Sequence, residues 1–295
     1  MISNSKKIQI LTNVILILLC LLCVLPFLLL IASSLTQEKA LAVNGYSFFP
    51  KSLSLDAYRY LWTSRIQILK AYGITVIVTF LGTTANIIIT TLMAYPLSRR
   101  DLPGRNIVSF YIFFTMLFNG GLVPTYMMYT NMQIKDTLYA LIIPMLLVNA
   151  YYVIMMRSYF TTNLPTEFIE AAKVDGASEL RILMKIVVPL SKPVMGTVGL
   201  MVGITYWNDW QNGLYYLVKR TDLYSIQNLL NRMISSAEFL NNPQNQAMFK
   251  QAGEKVPSIG IRMAIAVIAL LPILAIYPFF QNTFVKGITV GGVKG

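Results

Sequence analysis

Apolar runs of roughly membrane-spanning length alternate along this chain with short polar segments. A helix needs about 20 apolar residues to cross the hydrocarbon core. Six runs meet that length, at about 9–32, 71–97, 106–130, 138–157, 194–213 and 259–281. The pattern predicts an all-α membrane protein with six transmembrane helices, which puts both termini on one side. It is expected to form a single transmembrane domain over 1–295: a first span and external loop over 1–70, a helical core over 71–281, and a C-terminal tail over 282–295.

The runs are not uniformly apolar. Gly73, Thr75, Thr79, Gly82, Thr83, Thr84 and Asn86 place small and polar residues along the second, where they permit close helix packing and hydrogen bonds between helices in lipid. Phe118-Asn119-Gly120-Gly121-Leu122-Val123-Pro124 interrupts the third and predicts a broken or kinked helix. Irregular backbone at membrane depth is tolerated where it is packed in protein or lines a cavity. Asn119 and Tyr126 therefore mark either a structural kink or a passage. The fifth run ends in Thr205-Tyr206-Trp207-Asn208-Asp209-Trp210, which reads as an aromatic belt at the membrane surface or as a passage lining. Leu53–Leu61 has the pattern of an interfacial helix, with Tyr58, Tyr60 and Trp62 at headgroup level. The amide-rich stretch within 214–257 is either a contact surface for an external partner or a mobile loop.

Composition agrees with burial in a bilayer. Charged residues make up 12% of the chain against about 25% in soluble domains. The net charge of +12 is scattered through loops, which suits a membrane surface better than nucleic acid. Lys6 and Lys7 precede an apolar run too long for a signal peptide, so the first span is expected to be retained. Six spans divide the 24 basic residues evenly between the two sides, but the cluster Arg99, Arg100 and Arg105 favours a cytoplasmic second loop and hence cytoplasmic termini. Cys20 and Cys23 both lie in the first span, and the chain has no histidine. No catalytic residue, metal site or cofactor of its own is expected.

One polar insertion stands between the spans. Pro165 and Glu167 open a short helix, and Glu170-Ala171-Ala172 gives it a small face. Gly176 breaks it, Ser178 can cap a second helix with Glu179 in its first turn, and Ile182, Leu183, Ile186 and Val187 line that helix until Pro189 stops it. Two short helices at an angle, small at the tip, fit a groove on another protein.

This run, with Glu170-Ala171-Ala172, Gly176 and Ile186-Val187-Val188-Pro189, resembles the EAA signature of the permease subunits of ABC importers. Trp207-Asn208-Asp209-Trp210 and the Gly-rich tail Phe284–Gly295 resemble the MalG-like carbohydrate permeases. Gly253-Glu-Lys-Val-Pro-Ser258 is most similar to their YtcP-like branch, whose partner permease is LplB-like. The resemblance implies a type I ABC importer permease fold with a cytoplasmic coupling-helix insertion. It implies that Glu167, Glu170, Ala171, Ala172, Asp175, Gly176 and Pro189 couple to an ATPase. The implied partners are a second, unlike permease subunit, two ATP-binding subunits that hold ATP and Mg, and an extracytoplasmic sugar-binding lipoprotein in the bacterial cell membrane. The implied cargo is an oligosaccharide, with pectin-derived fragments preferred. The chain itself has no Gly-x-x-x-x-Gly-Lys-Ser/Thr loop for nucleotide.

Aromatic faces stack on sugar rings, and amides pair with hydroxyls. Asn119, Asn149, Tyr151, Tyr152, Trp207 and Asn208 are thus the expected passage residues by type and depth. The alternative is an ion-coupled secondary transporter, which would be expected to show internal repeats and charges at mid-membrane. The sequence displays neither.

Overall fold

The computed structural model describes residues 6–144, 146–241, 259–272 and 274. Of the hydrophilic stretch 214–257, residues 242–257 lie outside them, as does the expected tail at 282–295. In chain order the helices are α1 (Lys6–Ser34), α2 (Glu38–Asn44), α3 (Asp56–Thr63), α4 (Arg65–Ser98), α5 (Arg105–Leu117), α6 (Leu122–Asn131), α7 (Tyr139–Ile142), α8 (Ala150–Asn163), α9 (Thr166–Val174), α10 (Glu179–Leu190), α11 (Lys192–Asn208), α12 (Gln211–Tyr216), α13 (Ile226–Asn241) and α14 (Ile259–Pro272). No strand occurs among the described residues, and their β pairing is the single bridge Thr36–Leu53. Two compact units form, one from the stretch up to Ile68 with Leu230–Leu274, the other from Leu69–Leu229.

In the first unit, α1 leaves its apolar side chains exposed from Ile8 to Ile31, as a lipid-facing span requires. The chain turns after it on local bonds. Ser34 Oγ donates to Ile31 O at 2.8 Å and also pairs with Tyr58 Oη at 2.8 Å, which holds α3 against the turn. The Glu38 carboxylate accepts the Ile259 and Gly260 N–H groups, both at 3.1 Å. A carboxylate from the start of the chain thereby caps the free amides at the head of α14.

The second unit is organised around α4. Its buried face runs Thr75, Val78, Gly82, Asn86, Thr90, Ala94 and Leu97, at steps of three and four residues. Gly73 and Thr84, read from sequence with this set, face outward instead. Where α4 meets α11, small residues alternate across the contact. The Tyr206 ring occupies the space where a Cβ on Gly82 would stand, and the Ile87 Cδ1 is 3.0 Å from the Cβ position of Gly199. Close approach of two backbones in lipid depends on such residues.

Among the described residues two helices, α1 and α4, are long and apolar enough to cross a membrane, and the bent pairs α5–α6 and α10–α11 reach that length only if each counts as one span. The third run is broken as expected: α5 and α6 meet at 114° across Phe118–Gly121. The fourth run, expected as one span over 138–157, is helical only in α7 and from Ala150 onward. Pro144 has no N–H to continue α7, and Asn149 caps α8 by accepting the Tyr151 N–H at 2.9 Å, so two local signals end one helix and start another.

The interrupted backbone is satisfied by side chains from elsewhere in the unit. Asn86 Nδ2 donates to Leu146 O at 2.9 Å and Leu147 O at 3.0 Å, Tyr206 Oη to Ile142 O at 2.8 Å, and Asn212 Nδ2 to Pro144 O at 3.1 Å. Each buried carbonyl left bare would cost about 1–3 kcal/mol. Replacing Asn86 with Leu is accordingly expected to lower the thermal unfolding temperature in detergent markedly. Gly82→Ala is expected to cost about 1–3 kcal/mol by overpacking against Tyr206. Gly73→Ala, whose Cβ meets nothing within 4 Å, should leave the same melting curve unchanged.

Candidate functional site

Two places in the second unit bring chemistry-bearing residues together. The first is the break before α8. Asn149 and Tyr152 line a small cavity of about 70 Å³ with Leu146, Val202, Thr205 and Tyr206. The Tyr151 ring stands edge-on to Tyr152, with centroids 5.6 Å apart. Trp207 and Asn208 follow Thr205 on α11 but do not line this cavity. Trp207 is buried, with its ring 6.4 Å from Tyr72, and Asn208 accepts a long 3.4 Å bond from Gln227 Nε2. Asn119 is also elsewhere: it is exposed at the α5–α6 corner, where its Oδ1 accepts the Gly121 N–H at 2.9 Å. Of the six expected passage residues, three thus gather at one break. The cavity is far smaller than the roughly 300–1,000 Å³ of ligand pockets.

Asp209, weighed from sequence as a belt or passage residue, ends α11. Its Oδ1 accepts the Gln211 N–H at 3.1 Å and the Asn212 N–H at 3.3 Å, which starts α12. This turn presents Asn212 to Pro144 O, and so the Asp209 region serves the break indirectly.

The second place is the polar insertion. Helix α9 ends in a Schellman turn: Ala177 N–H donates to Ala172 O at 2.9 Å and Gly176 N–H to Lys173 O at 3.0 Å, with Gly176 at φ 73°. Glycine adopts that φ without the steric cost that a Cβ brings. Ser178 Oγ accepts the Arg181 N–H at 3.4 Å and starts α10. Ile182, Leu183 and Val187 are buried as the apolar pattern predicts. A π-helical turn over Leu183–Val187 precedes Pro189, which cannot donate to the carbonyl four residues back, and the chain bends by 80° at Ser191 into α11. Glu167, Glu170, Ala171, Asp175 and Gly176 are exposed, beside the outward apolar side chains Phe168, Val174 and Leu180.

Sequence reasoning missed an ion-pair network behind this insertion. Lys173 Nζ lies 2.7 Å from Glu179 Oε1 and 3.2 Å from Asp101 Oδ2. The Arg99 guanidinium grips Asp101 at 3.1 and 3.2 Å, and Tyr95 Oη donates to Glu179 Oε2 at 2.6 Å. Arg99 first, then Lys173, holds the Asp101 carboxyl well below the usual carboxylate range. Lys173, then Tyr95, lowers Glu179, and Glu179, then Asp101, raises Lys173. The acids keep these pairs charged at any pH above the ordinary carboxylate range near 4, and the lysine keeps them charged up to about 10, so the network is constant across neutral pH.

Residues 86–290 match the family described as "Binding-protein-dependent transport system inner membrane component". The chain belongs to this family. It is 38% identical over 280 residues to the polygalacturonan/rhamnogalacturonan transport system permease protein YtcP of Bacillus subtilis (strain 168), covering 95% of this chain and 96% of that protein. It is 38% identical over 272 residues to protein LplC of the same organism, covering 92% and 90%. Its fold matches a crystal structure of a bacterial ABC transporter involved in the import of the acidic polysaccharide alginate, with a TM-score of 0.78, 26% identity, and coverage of 96% of this chain and 98% of that one.

As a member of this family the chain is an inner-membrane permease of an ATP-driven, binding-protein-dependent importer. It works with a partner permease, an ATPase and a substrate-binding protein, and it is not an enzyme: ATP hydrolysis belongs to partner subunits. The ion-coupled alternative is not favoured.

A carboxylate outside the spans fixes a second loop. Asp136 Oδ1 accepts the N–H groups of Val218 and Lys219 at 2.8 Å and of Arg220 at 3.1 Å. The Arg220 N–H, then that of Lys219, lowers its pKa, so the clamp is present at neutral pH and is lost only as acid protonates it, below the ordinary value near 3.9. Asp136→Ala should speed tryptic cleavage after Lys219 and Arg220 several-fold at pH 8. Asp136→Asn keeps an acceptor and tolerates the positive φ of 57°, so it should cleave close to the wild-type rate.

Proposed function

We propose that the chain is one of two unlike permease subunits of an oligosaccharide importer, with six spans and both termini in the cytoplasm. The polar insertion from Thr166 to Leu190 docks in a groove of an ATP-binding subunit. Two such ATPase subunits close on ATP, push the insertions of the two permeases, and rock the bundles so that a central passage opens to each side in turn. An external binding lipoprotein delivers the cargo. Glu167, Glu170, Ala171, Ala172, Asp175, Gly176 and Pro189 form or shape the docking surface, and Asn149, Tyr151 and Tyr152 stand where the passage opens at the break before α8.

The observation that carries this reading is the tip of the insertion. A short helix ends in a glycine turn and exposes Glu167, Glu170 and Asp175 beside Phe168, Val174 and Leu180. Val174 is 88% exposed, and apolar side chains grouped among charges at an ordered tip suit a protein partner. The named cargoes of similar proteins, polygalacturonan/rhamnogalacturonan and alginate, favour an acidic sugar chain. Pectin-derived oligosaccharides are therefore the proposed cargo class.

Glu170→Lys and Gly176→Val are the test. Each is expected to reduce retention of the ATP-binding subunit on the purified permease pair, and uptake with it, by at least about tenfold, the effect of roughly 1.4 kcal/mol of lost docking energy. Membrane insertion of the chain should be unchanged. Loss of insertion would instead assign these residues to folding and remove the docking reading.

A further inference from the structure

The network behind the insertion joins three parts of the chain that sequence separates. Lys173 stands in the last turn of α9, Glu179 in the first turn of α10, Arg99 and Asp101 in the loop after α4, and Tyr95 on α4 itself. Lys173 and Glu179 bridge the two sides of the Gly176 turn, at 2.7 Å. Tyr95 and Asp101 then grip one partner each, at 2.6 Å and 3.2 Å. Arg157 Nε adds a bond to Leu97 O at 3.1 Å, which fixes α8 to the same end of α4.

Exposed ion pairs add little to stability, with a median of about 0–1 kcal/mol. Asp101 and Glu179 keep more than half of their side-chain surface open to solvent, so stability is a weak account of this arrangement. Transmission is a better one. The turn at Gly176 separates α9 from α10, and a push on α9 reaches the bundle only through what fastens the tip to a rigid element. Helix α4 is the longest described element and runs unbroken from the network to Asn86, which holds the Leu146 and Leu147 carbonyls beside the Asn149–Tyr152 cavity.

We infer that Asp101, Lys173, Glu179 and Tyr95 form a latch that fastens the docking insertion to α4, so that movement of the insertion reaches the break before α8. These are positioning residues: they touch neither cargo nor nucleotide. The inference rests on the docking reading above. Lys173 is the central member because it alone contacts both acids, and its charge is further favoured at the C-terminal end of α9.

The test uses the full complex of both permeases and the ATPase subunits in lipid nanodiscs. Cys20 and Cys23 are replaced by Ser, and a reporter thiol is placed by Tyr152→Cys. Maleimide labelling of that thiol is compared with and without ATP and vanadate, which traps the ATPases closed. In the otherwise wild-type complex the labelling rate changes on trapping. Asp101→Asn and Lys173→Gln are each expected to shrink that change at least about fivefold, the low end of ordinary allosteric coupling. If both act through one contact, the double variant should lose no more than either single one. Lys173→Arg should keep the response, and Asp101→Asn should retain the ATPase subunit and its basal hydrolysis.

Full response in both single variants, or losses that multiply in the double variant, would overturn the latch while leaving docking intact. A thiol that ignores trapping in the reference complex would also overturn it, because the proposed line ends at that cavity. A reference chain that fails to hold the ATPase subunit at all would overturn the docking reading, and the latch with it.

Discussion

Every buried backbone N–H and C=O must find a partner, and the interruption between Ile142 and Asn149 is where this chain meets that constraint. Pro144 ends a helix and frees carbonyls that no helical turn can use. Three side chains from three helices then turn toward that one segment: Asn86 of α4, Tyr206 of α11 and Asn212 of α12. The packing of α4 on α11 follows from this, because Tyr206 reaches Ile142 only by crossing the face of Gly82. A larger residue at Gly82 would deny the hydroxyl its carbonyl, so a glycine on one helix and a tyrosine on another serve the same backbone.

A broken helix held by side chains is suited to a passage. Hydrogen bonds from amides and a phenol can exchange partners in a way that a helical ladder cannot, and the cavity beside them is lined by Asn149 and Tyr152. The family is the inner-membrane component of binding-protein-dependent transport systems. Segments whose backbone bonds come from outside themselves can move as a piece when the supporting helix moves. Helix α4 is that support, since its Asn86 alone holds two of the freed carbonyls.

The C-terminal end of α4, beyond Asn86, is fastened by different chemistry. There the fastening is made of charges: Arg99, Asp101, Lys173 and Glu179 are partly exposed, and the paired groups hold their ionised forms across neutral pH. Neutral hydrogen bonds at the buried break and ion pairs at the exposed end divide the labour as desolvation dictates, because a charge buried at the break would be far more costly than an amide. The glycine turn at Gly176 adds a fixed bend between α9 and α10 without a bulky side chain at the exposed tip.

Much of this was legible in the sequence. The apolar runs gave the helical membrane class, Gly120 and Gly121 the α5–α6 corner, and Gly176 and Ser178 the turn and cap of the insertion, because each depends on residues close together in the chain. The run at 138–157 was misread as continuous even though Pro144 and Asn149 stood in it, since apolar length outweighed two local stop signals. Asn149, Tyr151 and Tyr152, expected by type and depth, stand together at the break, and Asn119 and Asn208, expected on the same grounds, make local or surface bonds elsewhere. Tyr95, Asp101 and Lys173 could not be joined from sequence, nor Asn86 to Leu146, because contacts 60 to 84 residues apart carry no periodic signal. Local backbone chemistry is written along the chain and decided the helices and their turns. Which distant side chain completes which carbonyl or charge depends on how those helices cross, and the tertiary structure alone decided that.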